Sequence, residues 1–365
     1  MSALQQFLRG GGTIEDLFAR YAIKATRHRE FSNLILFKYS QIDSPLGDPI
    51  VQSARGPILD EADGWSFVSR PFDKFFNHGE GHAAQVDWTT ARVQEKVDGS
   101  LCSLYWHAGR WRVSTSGMPD AGGEVNGTGI SFETLFWQVW NEMGLPVPGP
   151  VWRGHTIMFE LTTPYNRVVV RHAERRVVLL AVRDRESGEE TPIEEFEDGV
   201  YPLVRSFPLQ TMADVEATFQ EMDPLAQEGY VIVDGAFHRV KVKHPGYVAI
   251  HHMRDGFGPK RILEVIRLGE TTELLSHFPE WRPDFDALQV KFDALVGGIE
   301  ADYERLKDIP EQKAFALEAV RTPCPAALFQ MRKGQTPSAR SFLAGMHIGR
   351  LMDLLHVRDT TTEET

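Results

Sequence analysis

The feature that most limits how this chain can fold is a change of texture near residue 250. From about residue 33 to 245 the sequence is built of short β-rich runs, among them 34–39, 65–69, 101–106, 111–114 and 176–182. Gly, Asp and Pro separate them, and His107-Ala-Gly-Arg110 reads as a hairpin connection. Such runs predict antiparallel strands, not the regular strand–helix alternation of a parallel sheet. Helical spacing covers 13–27, with Thr13 as cap, and interrupts the strands at 131–143 and 211–222. Beyond residue 250 the β signal stops, and 259–277, 284–306, 311–321 and 338–356 carry helical periodicity. The expectation is an α+β chain: an antiparallel-sheet domain over residues 1–250, then an all-helical C-terminal domain over 251–365 ending in a frayed tail from Arg358.

With 365 residues, each of two domains has room for its own core. A net charge of −12 argues against a sequence-indifferent nucleic-acid coat, although it leaves room for a local basic cleft. No apolar run approaches the roughly 20 residues that span a bilayer. Cys102 and Cys324 are far apart, so neither a disulfide framework nor a cysteine zinc site is expected. The opening Met-Ser-Ala-Leu-Gln-Gln lacks the regions of a secretory signal, and the expectation is a cytoplasmic protein without a membrane partner.

Between the strands lies Glu95-Lys-Val-Asp-Gly-Ser100. For Lys96 to act as a nucleophile it must lose its proton, and a free lysine holds it to a pKa near 10.4. Nearby cations lower that value. The run His238-Arg-Val-Lys-Val-Lys-His244, read as a strand, puts Lys241 and Lys243 on one face, able to do this and to neutralise phosphate charge. The plain alternative is an edge strand kept soluble by its charge. Glu160 closes one run and Glu228 opens another, positions suited to a ribose hydroxyl or a hydrated Mg²⁺, or simply to strand ends at the surface. Arg55, Arg70 and Lys74 stand near Phe75 and Phe76, a pairing that suits phosphates beside a base or sugar. Core packing is the alternative for at least one of those rings. His78 and His82 are four apart, useful for a metal only on a helix, which Gly79 and Gly81 oppose.

In this order the elements resemble the covalent nucleotidyltransferase superfamily and, within it, the bacteriophage-type RNA ligase 1 family. The superfamily's motifs match Lys96-Val-Asp-Gly99, Phe159-Glu160, Glu228-Gly-Tyr-Val231 and Lys241-Val-Lys243. The narrower likeness rests on Arg55-Gly56, Ser69-Arg-Pro71, Lys74-Phe-Phe-Asn77, Thr163-Pro-Tyr-Asn-Arg167, Leu179-Leu-Ala-Val-Arg183 and Glu186-Ser-Gly-Glu189. The resemblance covers about residues 34 to 275. It implies an antiparallel-sheet nucleotidyltransferase (adenylyltransferase) domain that uses ATP and Mg²⁺, with Mn²⁺ able to replace it. Lys96 would carry AMP, pass it to a 5′-phosphate of RNA, and release it when a 3′-hydroxyl seals the strand, tRNA being one such substrate. Catalytic roles would fall to Lys96, Asp98, Lys241 and Lys243, with Asp98 positioning Lys96 or metal-bound water. Tyr39, Arg55, Lys74, Phe76, Glu95, Gly99, Glu160 and Glu228 would complete the ATP site. Ser103, Arg167 and Tyr247 would meet RNA, and Glu228 and Glu273 would serve a metal. Two departures stand out: Ser116 where the family often has a cation, and Thr272-Glu273 where it can carry paired aspartates. Two other readings remain. A DNA ligase or capping guanylyltransferase would add an OB-type β domain where this chain turns helical. An RNA-end- or nucleotide-binding protein could keep the scaffold without sealing.

Overall fold

The computed structural model describes residues 1–253 and 258–358. Its strands are, in chain order, β1 Lys24–Arg27, β2 Leu34–Lys38, β3 Arg55–Asp60, β4 Ser66–Ser69, β5 Phe76–Asn77, β6 Arg92–Glu95 and β7 Ser100–His107. They continue as β8 Arg110–Thr115, β9 His155–Thr162, β10 Arg176–Asp184, β11 Glu190–Thr191, β12 Ser206–Phe207, β13 Gly229–Val233 and β14 Arg239–Lys243. Three sheets result, ordered β1-β2-β3-β4, β11-β10-β9-β7-β8 and β12-β6-β13-β14-β5. Every pairing is antiparallel except β14 with β5. The β7–β8 hairpin closes at Ala108 and Gly109, whose φ angles of 48° and 79° suit the two-residue turn that strand twist favours.

Each sheet buries one face under a helix. Leu135, Phe136, Val139 and Trp140 of the helix Phe132–Glu142 cover the second sheet. Val215 of Met212–Thr218 closes the core of the third. The first is covered by Leu4, Leu8 and Leu17 from the helices Ala3–Arg9 and Ile14–Tyr21.

The chain divides into two compact units, Met1–Tyr39 with Pro45–Tyr247, and Ser40–Ser44 with the described residues from Val248 on. The second unit contains Pro259–Leu268, Thr271–His277, Arg282–Leu306, Gln312–Ala319, Pro325–Arg332, Ala339–Ala344 and Ile348–Leu354, all helical. Its core includes fully buried Leu263, Phe285, Phe292, Phe315 and Leu328, each contributing roughly 1.5–3 kcal/mol by leaving water. No helix among the described residues is long and apolar enough to cross a membrane.

Several expected elements differ in extent. The helix read over 13–27 stops at Tyr21, where Ala22 turns left-handed (φ 52°), and residues 24–27 become β1, paired with β2. The segment 259–277 divides at Gly269 (φ 74°), and 338–356 divides near Gly345. The helices Ala3–Arg9 and Pro325–Arg332 add to those read from periodicity. The tail beyond Arg358 lies outside the described residues.

Candidate active site

Strand β6 delivers Lys96 one residue past its end, and the Lys96 N–H donates to the Gly229 carbonyl at 2.9 Å. That bond sets Lys96 beside Glu228, which directly precedes β13. The Lys96 Nζ donates to Glu228 Oε2 at 2.5 Å, and Lys243 Nζ stands 3.7 Å from Glu228 Oε1. Register explains the meeting: Gly229 faces Lys243 and Val231 faces Lys241 across the β13–β14 ladder. Alternation along β14 then turns Arg239, Lys241 and Lys243 to one face while Val240 and Val242 are buried. Gly229 is required here, since its φ is +149° and a Cβ would come 2.2 Å from the Val242 carbonyl.

Glu160 reaches the same pocket from β9, where it pairs with Leu101 of β7 and Val178 of β10. Gly99 permits that approach: a Cβ there would lie 2.5 Å from the Leu161 carbonyl and 3.1 Å from Glu160 Cγ. The cavity holds about 460 Å³ and is lined by Arg55, Phe75, Lys96, Ser116, Glu160 and Lys241, among others.

Burial and the neighbouring Glu228 and Asp98 push the Glu160 carboxyl up to about 8, against the opposing pull of Lys96 and Arg55. Held so, it can donate as well as accept near neutrality, as a ribose hydroxyl requires. Burial, with Arg55, Lys96, Lys243 and Lys74 around it, brings Lys241 down to about 7. The Phe75 ring lies between two cations, 5.1 Å from Lys241 Nζ and 5.5 Å from the Arg55 guanidinium carbon. Arg55 Nη1 is buried with no hydrogen-bond partner among the described residues. An orphaned guanidinium donor on a pocket crowded with cations fits an anion, and a phosphate most directly.

The remaining predicted residues divide. Tyr39, Lys74 and Phe76 form a neighbouring cluster, with Lys74 Nζ 3.4 Å from the Tyr39 hydroxyl and 4.8 Å from the Phe76 ring centre. Phe76 is itself buried, and Phe75 is the ring that faces Lys96. Asp98 is buried and turned away from the nucleophile, and its Oδ2 accepts the Val169 and Val170 N–H groups at 2.9 and 2.7 Å. Ser103 and Tyr247 are buried, Arg167 is exposed, and none of the three lines the Lys96 pocket. Glu273 belongs to the helix Thr271–His277 of the second unit.

Nothing in the motif spacing points to Lys38. Its Nζ lies 3.5 Å from Ser116 Oγ, and its strand position faces Arg55 across the β2–β3 ladder. Burial of the ammonium and the charge of Arg55 lower its pKa. A cation therefore does stand at the Ser116 corner, supplied by another strand. Only cross-strand pairing reveals it.

Among the described residues no three His, Cys, Asp or Glu side chains gather as a metal cage. Glu228 and Glu160 suit only an ion that completes its shell with water and phosphate oxygens, as Mg²⁺ does.

A lysine hydrogen-bonded to a carboxylate, a second carboxylate and paired strand lysines, set among antiparallel sheets, make the arrangement expected of a nucleotidyltransferase domain. No family model matches the chain. It is 28% identical over 300 residues to an RNA ligase of Rhodothermus phage RM378, covering 64% of this chain and 67% of that protein. To a putative bifunctional polynucleotide kinase/RNA ligase of Autographa californica nuclear polyhedrosis virus it is 24% identical over an alignment of 370 residues, covering 93% of this chain and 51% of the viral one. Among solved structures, an archaeal ATP-dependent RNA ligase aligns over 93% of this chain and 82% of its own, at 13% identity and a TM-score of 0.48. The chain thus spans about two thirds of the phage protein and half of the viral one. In sequence it is similar to RNA ligases of phages and a baculovirus.

Proposed function

We propose that the protein is an ATP-dependent RNA ligase that joins 5′-phosphate and 3′-hydroxyl ends through a lysyl-AMP intermediate. The meeting of Lys96, Glu160 and Lys241 on one pocket, with Glu228 bonded to Lys96 and next to Lys243, carries the reading. The Lys96 amine attacks the α-phosphorus of ATP, a P–N bond forms, and the P–O bond to pyrophosphate breaks. Glu228, hydrogen-bonded to Lys96 Nζ, is placed to hold the proton that the amine must lose. Lys241 and Arg55 face the charge that develops on the phosphate oxygens. Glu160 suits the ribose hydroxyl and Lys74 the outer phosphates. A 5′-phosphate of RNA next displaces Lys96 from AMP, and a 3′-hydroxyl then displaces AMP to leave a phosphodiester. A divalent ion held through water by Glu228 would supply charge neutralisation at the phosphates. Broken RNA in the cytoplasm, tRNA included, is the substrate class this reading proposes.

The test uses ATP labelled at the α-phosphate, incubated with the protein and Mg²⁺ and then denatured. Label is expected to remain on the chain and to vanish with Lys96→Ala; a nucleotide-free preparation that takes no label overturns the mechanism. Equal labelling by GTP would indicate capping chemistry instead. Joining of 5′-phosphorylated single-stranded RNA, set against nicked DNA, separates sealing from mere end binding.

A further inference from the structure

A second cleft opens on the other side of the nucleophile loop. It holds about 490 Å³ and shares Glu95 and Val97, the two neighbours of Lys96, with the active-site pocket. Around it stand Arg171, His172, Arg176 and Arg205. Arginines elsewhere in this unit find carboxylates: Arg175 meets Glu142 at 3.0 Å, and Arg183 meets Asp73 at 2.9 Å. Arg171, Arg176 and Arg205 form no ion pair among the described residues, although the chain carries twelve more acidic than basic side chains. Glu95 and Glu174 also line the cleft, and neither comes within ion-pairing distance of these guanidiniums. The three guanidiniums are exposed at one cavity with Glu95 as a half-buried counter-charge near two of them, and they remain open to an anion bound among them.

The rest of the lining is of a different kind. Val97, Val178 and Leu203, each half-buried, line the same cavity and add apolar surface to it. Apolar lining and cationic side chains together fit a nucleotide, with the base on the one and its phosphates on the other. Glu95 also lines the cleft; its burial raises the carboxyl pKa against the pull of Arg205, His172 and Arg176, and its oxygens can hydrogen-bond a base edge. The cleft is also fixed to the nucleophile. His172 Nε2 lies 2.5 Å from the Asp98 carbonyl oxygen, and the Asp98 carboxylate holds the N–H groups of Val169 and Val170. The wall at 169–172 therefore moves with the loop that carries Lys96.

We infer that this cleft binds a nucleotide of the RNA strand, its phosphates on Arg171, Arg176 and Arg205 and its base against Val97, Val178 and Leu203. The inference deepens the ligase reading by giving its RNA substrate a site. It also explains why Asp98 faces 169–170, where it ties the RNA-bearing wall to the nucleophile.

The test is equilibrium binding of a short 5′-phosphorylated RNA to the full-length chain, followed by fluorescence anisotropy across a salt titration. Variants are Arg171→Gln with Arg176→Gln, and separately Arg205→Gln; Arg175→Gln, whose guanidinium Glu142 holds, is the control. We expect the double variant to bind RNA at least tenfold more weakly, and the slope of log affinity against log salt to fall by about 0.7 per arginine lost. Arg175→Gln should match the parent. Unchanged affinity and slope in folded variants overturn the inference. So does a raised KM for ATP in lysyl-AMP formation with RNA affinity intact, which would assign the cleft to ATP. A parent protein that forms no lysyl-AMP sinks the ligase reading alone, because the binding measurement does not depend on it.

Discussion

In the helical unit the only buried polar residues among those described are Ser44 and Thr336, neither of them charged. Most of its ion pairs join residues one helical turn apart, as in Arg305–Asp302 and Arg321–Glu318, both at 2.8 Å, while Arg340–Asp293 links two helices. The sheet unit buries Asp98 and Glu228 and gathers Arg55, Lys96 and Lys241 around one cavity, with Lys243 beside Glu228. Exposed pairs of the first kind are worth a few tenths of a kcal/mol each, and the helices stand on apolar burial. The pocket collects like charges that Glu228 compensates only in part, at a cost to stability that a bound anion would offset further. One unit is arranged for its own stability, the other for a ligand.

The largest test of that contrast is Glu228→Ala. It removes the carboxylate that joins Lys96 at 2.5 Å and Lys243 at 3.7 Å, and with it the hydrogen bond that holds the Lys96 ammonium. Lysyl-AMP formation should slow by about 10³-fold, equivalent to about 4 kcal/mol of transition-state stabilisation. Single-turnover labelling measures it. A loss under about tenfold would mean that Glu228 is only a strand-end counterion.

Next comes one substitution made twice. Gly229→Ala forces a Cβ against the Val242 carbonyl at 2.2 Å in a backbone of φ +149°, and should destabilise the sheet unit by about 3 kcal/mol. Gly298→Ala, in the helix Arg282–Leu306 with nothing within 4 Å of the new methyl, should stabilise by up to about 1 kcal/mol. Denaturant titration that follows both units separately reads the two signs. The same sign at both positions would break the comparison.

A smaller effect follows from Lys241. With its pKa down at about 7, it is largely neutral at pH 8 in the free protein. A phosphate beside it favours the charged form and returns the pKa toward the ordinary lysine value, so binding takes up a proton. At pH 8 the uptake should approach roughly 0.9 proton per ATP analogue bound, and it should shrink below pH 7, where Lys241 is already charged. Calorimetry in buffers of different ionisation enthalpy detects it. Lys241→Gln should remove that uptake, and a variant that keeps it assigns the proton elsewhere.

What could be read from the sequence follows from how local each feature is. The strands around Leu104 and Val182, the Ala108-Gly109 turn and the long helix through Phe292 are written in neighbouring residues, where alternation, turn chemistry and periodicity speak directly. The pairing of Lys241 with Lys243 on one face is legible for the same reason. Residues 24–27 read as helix because their strand partner is Ile35–Lys38, and no local pattern names a partner. Phe75 and Phe76 are adjacent, and only the fold decides which ring enters the pocket and which the core. The arginine cleft draws Arg171 and Arg176 from the basic run 167–176 and Arg205 from a separate segment, and only the fold brings the two together. Asp98 looks catalytic from its place in the motif, whereas its carboxylate is taken by backbone N–H groups seventy residues away.

The finest discrimination falls on Lys38. Taken as a whole residue Lys38 is exposed, like Arg321 in the helical unit, although its ammonium end is desolvated; by overall exposure alone both should be near-neutral on removal. Their surroundings differ. Arg321 meets Glu318, whereas Lys38 faces Arg55 across the ladder and ends at Ser116, on the wall of the Lys96 pocket. A like-charged cross-strand pair is unfavourable unless an anion bridges it. Lys38→Ala should therefore leave folding stability unchanged or slightly raised, while the KM for ATP in lysyl-AMP formation rises by about threefold to tenfold. The rise should diminish with added salt, because the contact is screened at the surface. Arg321→Ala should change neither quantity. If the two variants behave alike, Lys38 is an ordinary surface charge and the Ser116 corner has no cation of its own.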